Sequence, residues 1–500
     1  MAPPTVHTAS DPEFDELYVI SDLHMGGKPG FQLFNQGSLL SRWIDSLTAA
    51  PAAKRVALVI NGDMVDFLAE PDATYFDPRG AVNKLNRIAG DPAFKPVFDS
   101  LAKFTGVKNR QLVVTLGNHD LELTLPNVQR QFLSLLTGGD VRNRPRVTLA
   151  LDRNGYRCRV AGELIFCIHG NEVDTWNVAD YPRIQQISAA LQAGGEVEPW
   201  IPNAGTQLVI DVMNDVKKEY PFVDVLKPEA EGVVPVLLAL KPDLYKKLAK
   251  IALVTARLAK DSVRRRFGFL ANDGGRRKRK KISRSRRADR AIRRLLERRL
   301  GADGATVDRP QVDQLLKTAH ACALQPVSTH GADDAVDAAM LGLPGAVRNW
   351  VMGRSKSEVL REALSSLAEY EGFSTSFEDE TFGGIDKRVP PEVGFVVTGH
   401  THQARSLNRY NGKGHYYNSG TWVRLMRLEK DVLNDAAKFE TVFNLLGSGS
   451  LTPLETAAPP YVKPRPSVVW FKIRDNQTVK HGLDEILDVN GTSWKSTQFV

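Results

Sequence analysis

The sequence has 500 residues, a hydrophobic content of 42% and a formal net charge of +8. This length predicts two or three domains. The three cysteines, Cys158, Cys167 and Cys322, are too few and too irregularly spaced for a disulfide framework, which indicates a reducing compartment. The N-terminus lacks the basic and apolar regions of a signal peptide, and no apolar stretch reaches the roughly 18 residues that a membrane span requires. Composition therefore disfavours secreted disulfide-rich and integral membrane proteins, and we expect a cytoplasmic protein.

Five short apolar runs predict buried strands, and a block of Asp, Asn or His residues follows each of them. The runs cover residues 17–20, 56–60, 111–114, 164–168 and 394–397. The blocks, in the same order, are Asp22-Leu23-His24, Gly62-Asp63, Gly117-Asn118-His119-Asp120, His169-Gly170 and Gly399-His400-Thr401-His402. In open α/β sheets ligands bind at the carboxyl ends of the strands, so these side chains are expected to meet at one edge. The pattern predicts a metal site.

The residue types in these blocks suit two divalent cations. A pair of metal ions about 3.5–4 Å apart is held by a bridging carboxylate, and Asp63, which closely follows a predicted strand, is the expected bridge. Asp22 and His24 are two residues apart, so on an extended strand their side chains would point to the same side, and His400 and His402 share this spacing. A mix of His, Asp and Asn without thiolates favours Mn, Fe, Zn or Co over Mg or Ca alone. We expect Mn.

Taken together, the blocks D-x-H, G-D, G-N-H-D, H and G-H-x-H resemble the signature of the calcineurin-like metallophosphoesterase family. The resemblance implies an α/β fold, a four-layer α/β/β/α sandwich, with a dinuclear metal site. It implies that one metal is bound by Asp22, His24, Asp63 and His402, and the other by Asp63, Asn118, His169 and His400. It also implies that His119 is the general acid and that Asp120 orients it.

Asp66 lies close to the G-D block, and two interpretations of it remain open. It could support the metal ligands from behind, or it could be a helix-start carboxylate that the helix dipole favours. The histidines outside the blocks are interpreted as structural or solvent-exposed. They are His7, His320, His330, His415 and His481.

The spacing between the blocks predicts the domain organisation. The first four blocks follow each other at intervals of 41 to 55 residues, whereas 231 residues separate His169 from His400. A loop within one domain does not need this length, so an inserted domain is expected. We predict a catalytic domain in two parts, residues 1–175 and 386–500, and a mainly helical insertion at residues 176–385.

The insertion also carries the basic charge of the chain. Between Lys241 and Leu300 the sequence has 23 Lys or Arg and five Asp or Glu, so the rest of the chain is net acidic. Within this stretch, the apolar spacing of residues 288–296 predicts a basic amphipathic helix. Such a helix can lie on an anionic membrane surface, a basic run can bind nucleic-acid phosphates, or the charges can simply be solvated. The segment Arg276–Arg299 is therefore a candidate partner surface.

Two groups within the family fit parts of this sequence. Pyrophosphatases that cleave UDP-2,3-diacylglucosamine share G-H-T-H and a helical insertion, but they have an arginine where this chain has His119. DNA-repair metallonucleases keep G-N-H-D and would use a basic surface for DNA. The family resemblance as a whole implies hydrolysis of a phosphodiester, phosphomonoester or pyrophosphate bond by a metal-bound hydroxide. The alternatives are a nuclease and a lipid-precursor pyrophosphatase at the membrane surface. A binding module with an inactive site is disfavoured because every block is intact.

Overall fold

The computed structural model describes residues 11–174, 176–195, 200, 202–227, 230–241, 244, 355–368, 374–474 and 478–499. The chain divides into two compact units. The first comprises Met1–Ala230, Leu367–Glu429 and Val442–Val500, and the second comprises Glu231–Ser366 and Lys430–Thr441. The predicted insertion at residues 176–385 stays a prediction, and the basic segment Arg276–Arg299 lies outside the described residues.

Strands dominate the first unit, and helices connect many of them. The strands are β1 (Glu13–Phe14), β2 (Glu16–Ile20), β3 (Val56–Asn61), β4 (Arg110–Thr115), β5 (Val147–Ala150), β6 (Tyr156–Val160), β7 (Glu163–Cys167), β8 (Phe395–Thr398), β9 (Ala404–Asn408), β10 (His415–Ser419), β11 (Arg424–Met426), β12 (Val462–Pro464), β13 (Ser467–Ile473), β14 (Val479–Val489) and β15 (Ser493–Gln498). The first helices are α1 (Gly37–Thr48), α2 (Ala81–Gly90), α3 (Lys95–Gly106) and α4 (Pro126–Leu136). Across the described parts of both units, further α-helices span Tyr181–Gln192, Ala204–Leu208, Asn214–Val216, Ala230–Leu240, Lys356–Ala368, Glu380–Asp386, Lys430–Asn434, Ala436–Leu446 and Thr452–Thr456.

A seven-stranded sheet has the order β15-β14-β13-β2-β3-β4-β5. Strands β2 to β5 are parallel, and β13 pairs with β2 in the antiparallel direction. Parallel strands are covered on both faces, which explains why their sequences are continuous apolar runs. On one face, Ile20 and Leu58 pack in the same core as Leu40 and Trp43 of α1. A fully buried side chain of this size stabilises the fold by roughly 1.5–3 kcal/mol.

A six-stranded sheet with the order β1-β6-β7-β8-β10-β9 stacks on the other face. Because side chains alternate along a strand, Val19 and Val59 point away from the helices and share a second core with Cys167 and Val397 of this sheet. Both cysteines in the described part of the chain, Cys158 and Cys167, lie in this core as free thiols.

A short helix, Glu380–Asp386, covers the outer face of the six-stranded sheet. Its Phe382 side chain is fully buried against Val396 and Tyr416. The helix is anchored by a buried ion pair in which Arg409 Nε donates to Asp386 Oδ1 at 2.5 Å. Helices, two sheets and this outer helix form the four layers, which confirms the predicted α/β sandwich.

The five predicted strands match β2, β3, β4, β7 and β8 to within one residue at each end. They do not lie in one sheet, however. Strands β2 to β4 belong to the seven-stranded sheet, whereas β7 and β8 belong to the six-stranded one. The single edge expected from the sequence is therefore corrected to a seam, at which the carboxyl ends of strands from two stacked sheets meet.

The described part of the second unit is helical. Within it, Ser357 Oγ donates a hydrogen bond to Glu440 Oε2 at 2.6 Å, and Arg361 Nη1 donates to the carbonyl of Leu433 at 3.0 Å. These contacts join the helix Lys356–Ala368 to the helices that follow Glu429. Across the described residues, no helix combines the length and the apolar character that crossing a membrane requires.

Two histidines lie between the sheets, away from the predicted metal ligands. His415 Nε2 is 2.9 Å from Ser406 Oγ, His481 Nδ1 is 2.7 Å from Tyr417 Oη, and the two imidazole centroids are 5.6 Å apart. Burial and the nearby His481 lower the pKa of His415 to about 4. Burial also lowers the pKa of His481.

We expect His415→Gln to flatten the pH dependence of folding stability. A histidine whose pKa is lowered on folding binds a proton more readily in the unfolded chain, so stability falls as the pH drops from about 6.5 towards 4. Urea midpoints measured across this range by circular dichroism should decline less in the variant than in the parent. Ser406→Ala, which removes the hydrogen-bond partner and keeps the titrating ring, is the matched control. Parallel pH profiles for parent and His415→Gln would contradict the assignment.

Candidate metal centre

The predicted ligand blocks turn the backbone sharply after their strands. Asp22, His24, Asp63, His400 and His402 have φ angles between 44° and 71°, in the left-handed region that is uncommon for residues other than glycine. They are five of the nine non-glycine residues with positive φ in the described part of the chain. Each such conformation costs on the order of 1–3 kcal/mol, and they cluster at functional sites. The strained positions therefore coincide with the predicted ligands.

The first group of donor atoms forms just beyond the end of β2. Asp22 and His24 do not continue an extended strand, because β2 ends at residue 20, and left-handed turns bring their side chains together instead. His24 Nε2 is 3.9 Å from Asp22 Oδ1 and 3.0 Å from His402 Nε2. His402 Nε2 is 3.3 Å from Asp22 Oδ1. All three residues are buried, so their donor atoms converge away from bulk water.

The second group forms around Asp63. His169 Nε2 lies 3.1 Å from Asp63 Oδ2, and the same oxygen is 3.6 Å from His24 Nε2. One carboxylate oxygen thus faces both groups. The ring of His400 lies 5.4 Å from the ring of His169, measured between centroids.

Hydrogen bonds determine which ring nitrogen of each histidine is available as a donor atom. His169 Nδ1 is 2.8 Å from the carbonyl oxygen of Asn61 and so carries the proton. His24 Nδ1 is 3.1 Å from Asp66 Oδ2. In both rings Nε2, which faces the carboxylates, is therefore the nitrogen that could bind a metal after losing its proton. In His400 the two nitrogens exchange roles. Nε2 is 2.8 Å from Asp174 Oδ2, so Nδ1 is the nitrogen that is left for a metal.

Asp66, and not Asp120, contacts the ring of His119. His119 Nδ1 lies 3.1 Å from Asp66 Oδ2. Asp120 instead accepts hydrogen bonds from the backbone N–H groups of Met64 at 3.0 Å and Gly117 at 2.7 Å. The expectation that Asp120 orients the His119 ring is therefore corrected, because the backbone of two loops occupies both of its oxygens. Burial and the charge of Asp63 raise the pKa of Asp120 to about 7.

Both interpretations of Asp66 hold in part. Its Oδ2 atom contacts His24 and His119, so it supports the site from behind. Its Oδ1 atom accepts hydrogen bonds from the backbone N–H groups of Leu68 and Ala69 at 2.9 Å, which caps a turn rather than a helix. Burial would raise the pKa of Asp66, but His119 and His24 hold it well below its usual range.

Two histidines of the site have pKa values that are shifted in opposite directions. Burial and the charge of Lys227, a cation that sequence reasoning missed, lower the pKa of His402 to about 4, so its ring is neutral. Burial would lower the pKa of His169, but Asp63 raises it to about 10. Histidine ligands bind metals in the neutral form, so a metal ion would replace the proton that His169 holds.

Two observations test whether metal ions fit this arrangement. Asn118 Oδ1 is buried and has no hydrogen-bond partner among the described residues, and a buried carbonyl oxygen of this kind is satisfied by a cation. The chain also keeps space for the site through glycine. A Cβ atom at Gly117 would lie 2.1 Å from Asp63 Oδ1, and one at Gly62 would lie 2.3 Å from His169 Nδ1. Imidazole nitrogen and carboxamide or carboxylate oxygen suit borderline divalent cations.

Sequence reasoning also missed Asp174, which contacts His400. Asp174 Oδ1 accepts a hydrogen bond from the N–H of Trp176, and its Oδ2 accepts one from Asn177 Nδ2, both at 2.7 Å. These bonds fix the turn that carries the carboxylate. The only signal in the sequence is an acidic residue five positions after His169, which is too common to single out.

Replacing the shared carboxylate should remove metal binding. We expect Asp63→Asn to lose tight binding of both metal ions, because a neutral amide cannot replace the charge that faces both donor groups. Asn tolerates the left-handed conformation, so the fold should be retained. Elemental analysis and circular dichroism measure the two effects.

Asp72→Asn is the matched control, since Asp72 is exposed and has a φ of 60° outside the site. It should bind metals as the parent does. An Asp63→Asn protein that retained two metals per chain would show that this carboxylate is not the bridge.

Comparison with known proteins agrees with the geometry. Residues 16–222 match the family model of calcineurin-like phosphoesterases. A search of curated proteins found no match. The matched region contains the first four blocks, from Asp22 to Asp120 and His169, and the structure brings His400 and His402 to them from the later part of the chain. Residues 16–222 are therefore identified as a calcineurin-like phosphoesterase domain, which indicates a phosphoric ester hydrolase in general.

Proposed function

We propose that the protein hydrolyses phosphoric esters with two divalent metal ions. The observation that carries this proposal is the position of Asp63, whose Oδ2 atom is 3.1 Å from His169 Nε2 and 3.6 Å from His24 Nε2. A carboxylate oxygen between two imidazoles from separate groups is what a dinuclear site requires. In a mononuclear site, this oxygen would face only one of the two groups of donor atoms.

The residues that we propose as metal ligands are the same ones that the sequence analysis predicts. One ion would be held by Asp22, His24, Asp63 and His402, and the other by Asp63, Asn118, His169 and His400. We propose Mn as the cellular ion, with Fe, Zn or Co as alternatives that accept the same ligands. When bound, the ions would supply an activated water and neutralise charge on the phosphoryl oxygens.

The chain's own residues account for the remaining chemistry. His119 is the proposed general acid. Its Nδ1 proton is held by Asp66, so Nε2 is the ring atom from which a proton can pass to the leaving oxygen. Asp66 contacts the ligand His24 as well, and thereby couples the orientation of the acid to that of the metal site. We propose Asp120 as a residue that fixes the loop backbone next to Asp63.

The bond that is cleaved can be a phosphodiester, a phosphomonoester or a pyrophosphate. A screen of metal-stripped protein reconstituted with Mn decides among them, using p-nitrophenyl phosphate, bis-p-nitrophenyl phosphate, nucleotide-sugar diphosphates, and single- and double-stranded DNA. Hydrolysis should require the added ion and disappear with a chelator. Turnover that is unaffected by the chelator would contradict a metal-dependent reaction.

We expect His119→Asn to bind metals normally and to lose about 10²–10⁴ in rate, the usual contribution of general acid–base assistance. The loss should be smaller for a good leaving group such as p-nitrophenolate, which needs little protonation. Rates for aryl and alkyl esters of one phosphate class measure this difference. Asp66→Asn should show the same dependence on the leaving group, whereas Asp120→Asn should not. Equal losses for good and poor leaving groups would assign His119 to substrate or metal binding instead.

The basic segment Arg276–Arg299 is proposed as the partner surface, and it distinguishes the two narrower functions. Neutralising four of the six residues from Arg276 to Lys281 should weaken sedimentation with anionic liposomes if the enzyme acts on lipid precursors, since each basic residue near an anionic surface contributes about 1 kcal/mol. If the enzyme is a nuclease, the same change should lower DNA affinity and its salt dependence. Unchanged binding in both assays would leave the charges without a partner role.

A further inference from the structure

The two carboxylate oxygens of Asp22 have different environments. Oδ1 is 3.3 Å from His402 Nε2 and 3.9 Å from His24 Nε2, so it faces the proposed metal ligands. Oδ2 accepts a hydrogen bond from Ser21 Oγ. The backbone N–H of His400 donates to both oxygens, at 3.0 Å to Oδ2 and 3.2 Å to Oδ1. The Ser21 hydroxyl is thus the side-chain contact that distinguishes one oxygen from the other.

Ser21 is itself held by a second hydroxyl. Its Oγ atom is 2.7 Å from Ser419 Oγ, and neither residue is exposed to solvent. Each hydroxyl has one hydrogen to donate, and an ionised carboxylate can only accept. Ser21 therefore donates to Asp22, and Ser419 donates to Ser21 in preference to the carbonyl oxygen of Thr398, which is 3.1 Å away.

The hydroxyl pair joins the two sheets beneath the metal centre. Ser21 follows β2 of the seven-stranded sheet, and Ser419 is the last residue of β10 in the six-stranded one. Gly399 leaves room for the pair, since a Cβ atom there would lie 2.5 Å from Ser21 Oγ and 2.6 Å from Asp22 Oδ2. The orientation of the Asp22 carboxylate consequently depends on a contact that exists only when both sheets are in place.

We propose that Ser21 is a positioning residue for the metal centre and that Ser419 acts through it. The proposal rests on the function proposed above. Without the Ser21 hydroxyl, Oδ2 loses its side-chain anchor, and the carboxylate can rotate away from the donor geometry. Loss of such a supporting hydrogen bond typically weakens metal affinity about 10–100-fold.

The test is Mn²⁺ affinity, measured on the metal-stripped full chain by competition with a chelating dye and without substrate. Ser21→Ala should bind Mn²⁺ about 10–100-fold more weakly than the parent. Ser419→Ala should weaken binding by a smaller factor. Because the two hydroxyls act in series, the double variant should bind as Ser21→Ala does and not as the product of both losses.

Ser100→Ala is the matched control. Ser100 is equally buried and forms a hydroxyl pair with Ser41, also at 2.7 Å, between α1 and α3 and outside the ligand groups. This variant should lose thermal stability in the metal-free state as the site variants do, with unchanged Mn²⁺ affinity.

The outcomes separate this inference from the proposed function. A parent that binds no Mn²⁺, Zn²⁺, Fe²⁺ or Co²⁺ overturns the proposed function. A parent that binds Mn²⁺ while Ser21→Ala binds it equally well overturns the role of Ser21 alone, and equal weakening by Ser100→Ala does the same. If Ser21→Ala does not fold, Ser419→Ala decides the matter, and unchanged affinity in that variant overturns the relay.

Discussion

The burial of several carboxylates in one site is the constraint on which the rest of the structure depends. Asp22, Asp63, Asp66 and Asp120 are at most 4% exposed. An isolated buried carboxylate is strongly unfavourable unless positive charge or hydrogen-bond donors compensate for it. Imidazoles and backbone N–H groups surround these four, and two divalent cations would complete the compensation. The histidines at this seam therefore stabilise the charge as well as presenting donor atoms.

The seam between the two sheets explains why the site needs so many separate chain segments. The seven-stranded sheet supplies Asp22, His24 and Asp63, and the six-stranded sheet supplies His169 and His400. Neither sheet alone carries all the residues that we propose as ligands of one ion. The outer helix Glu380–Asp386 contributes indirectly, because a Cβ atom at Gly170 would lie 3.0 Å from the Thr381 side chain. The loop after His169 is consequently enclosed between the helix and the His400 turn.

The sequence predicted the five strands and the residues that follow them, because apolar runs and polar strand ends are local patterns. The same signal placed Asp63 among these residues, and its carboxylate oxygen lies between His24 and His169. It did not predict that Asp66, and not Asp120, contacts His119, since the choice depends on how two loops fold back on each other. Asp174 and Ser21 were missed for a related reason. Their contacts with His400 and Asp22 depend on left-handed turns of the backbone at those two residues, and the sequence does not reveal these turns.

The separation of the donor residues along the chain has a consequence for biosynthesis. His24 and His402 have ring nitrogens 3.0 Å apart although 378 positions divide them in the sequence. Chains emerge from the ribosome with their N-terminal part first, so β2 to β7 are synthesised long before β8 and β10. Until then, β7 pairs with β6 but lacks β8 on its other side, and the carboxylates of the first blocks lack two of their imidazoles. Because closing such distant contacts is slow, the nascent chain passes through a long interval in which an acidic, half-built pocket and an open strand edge are exposed. Any metal binding that needs His400 and His402 would therefore have to follow the synthesis of the chain beyond β8.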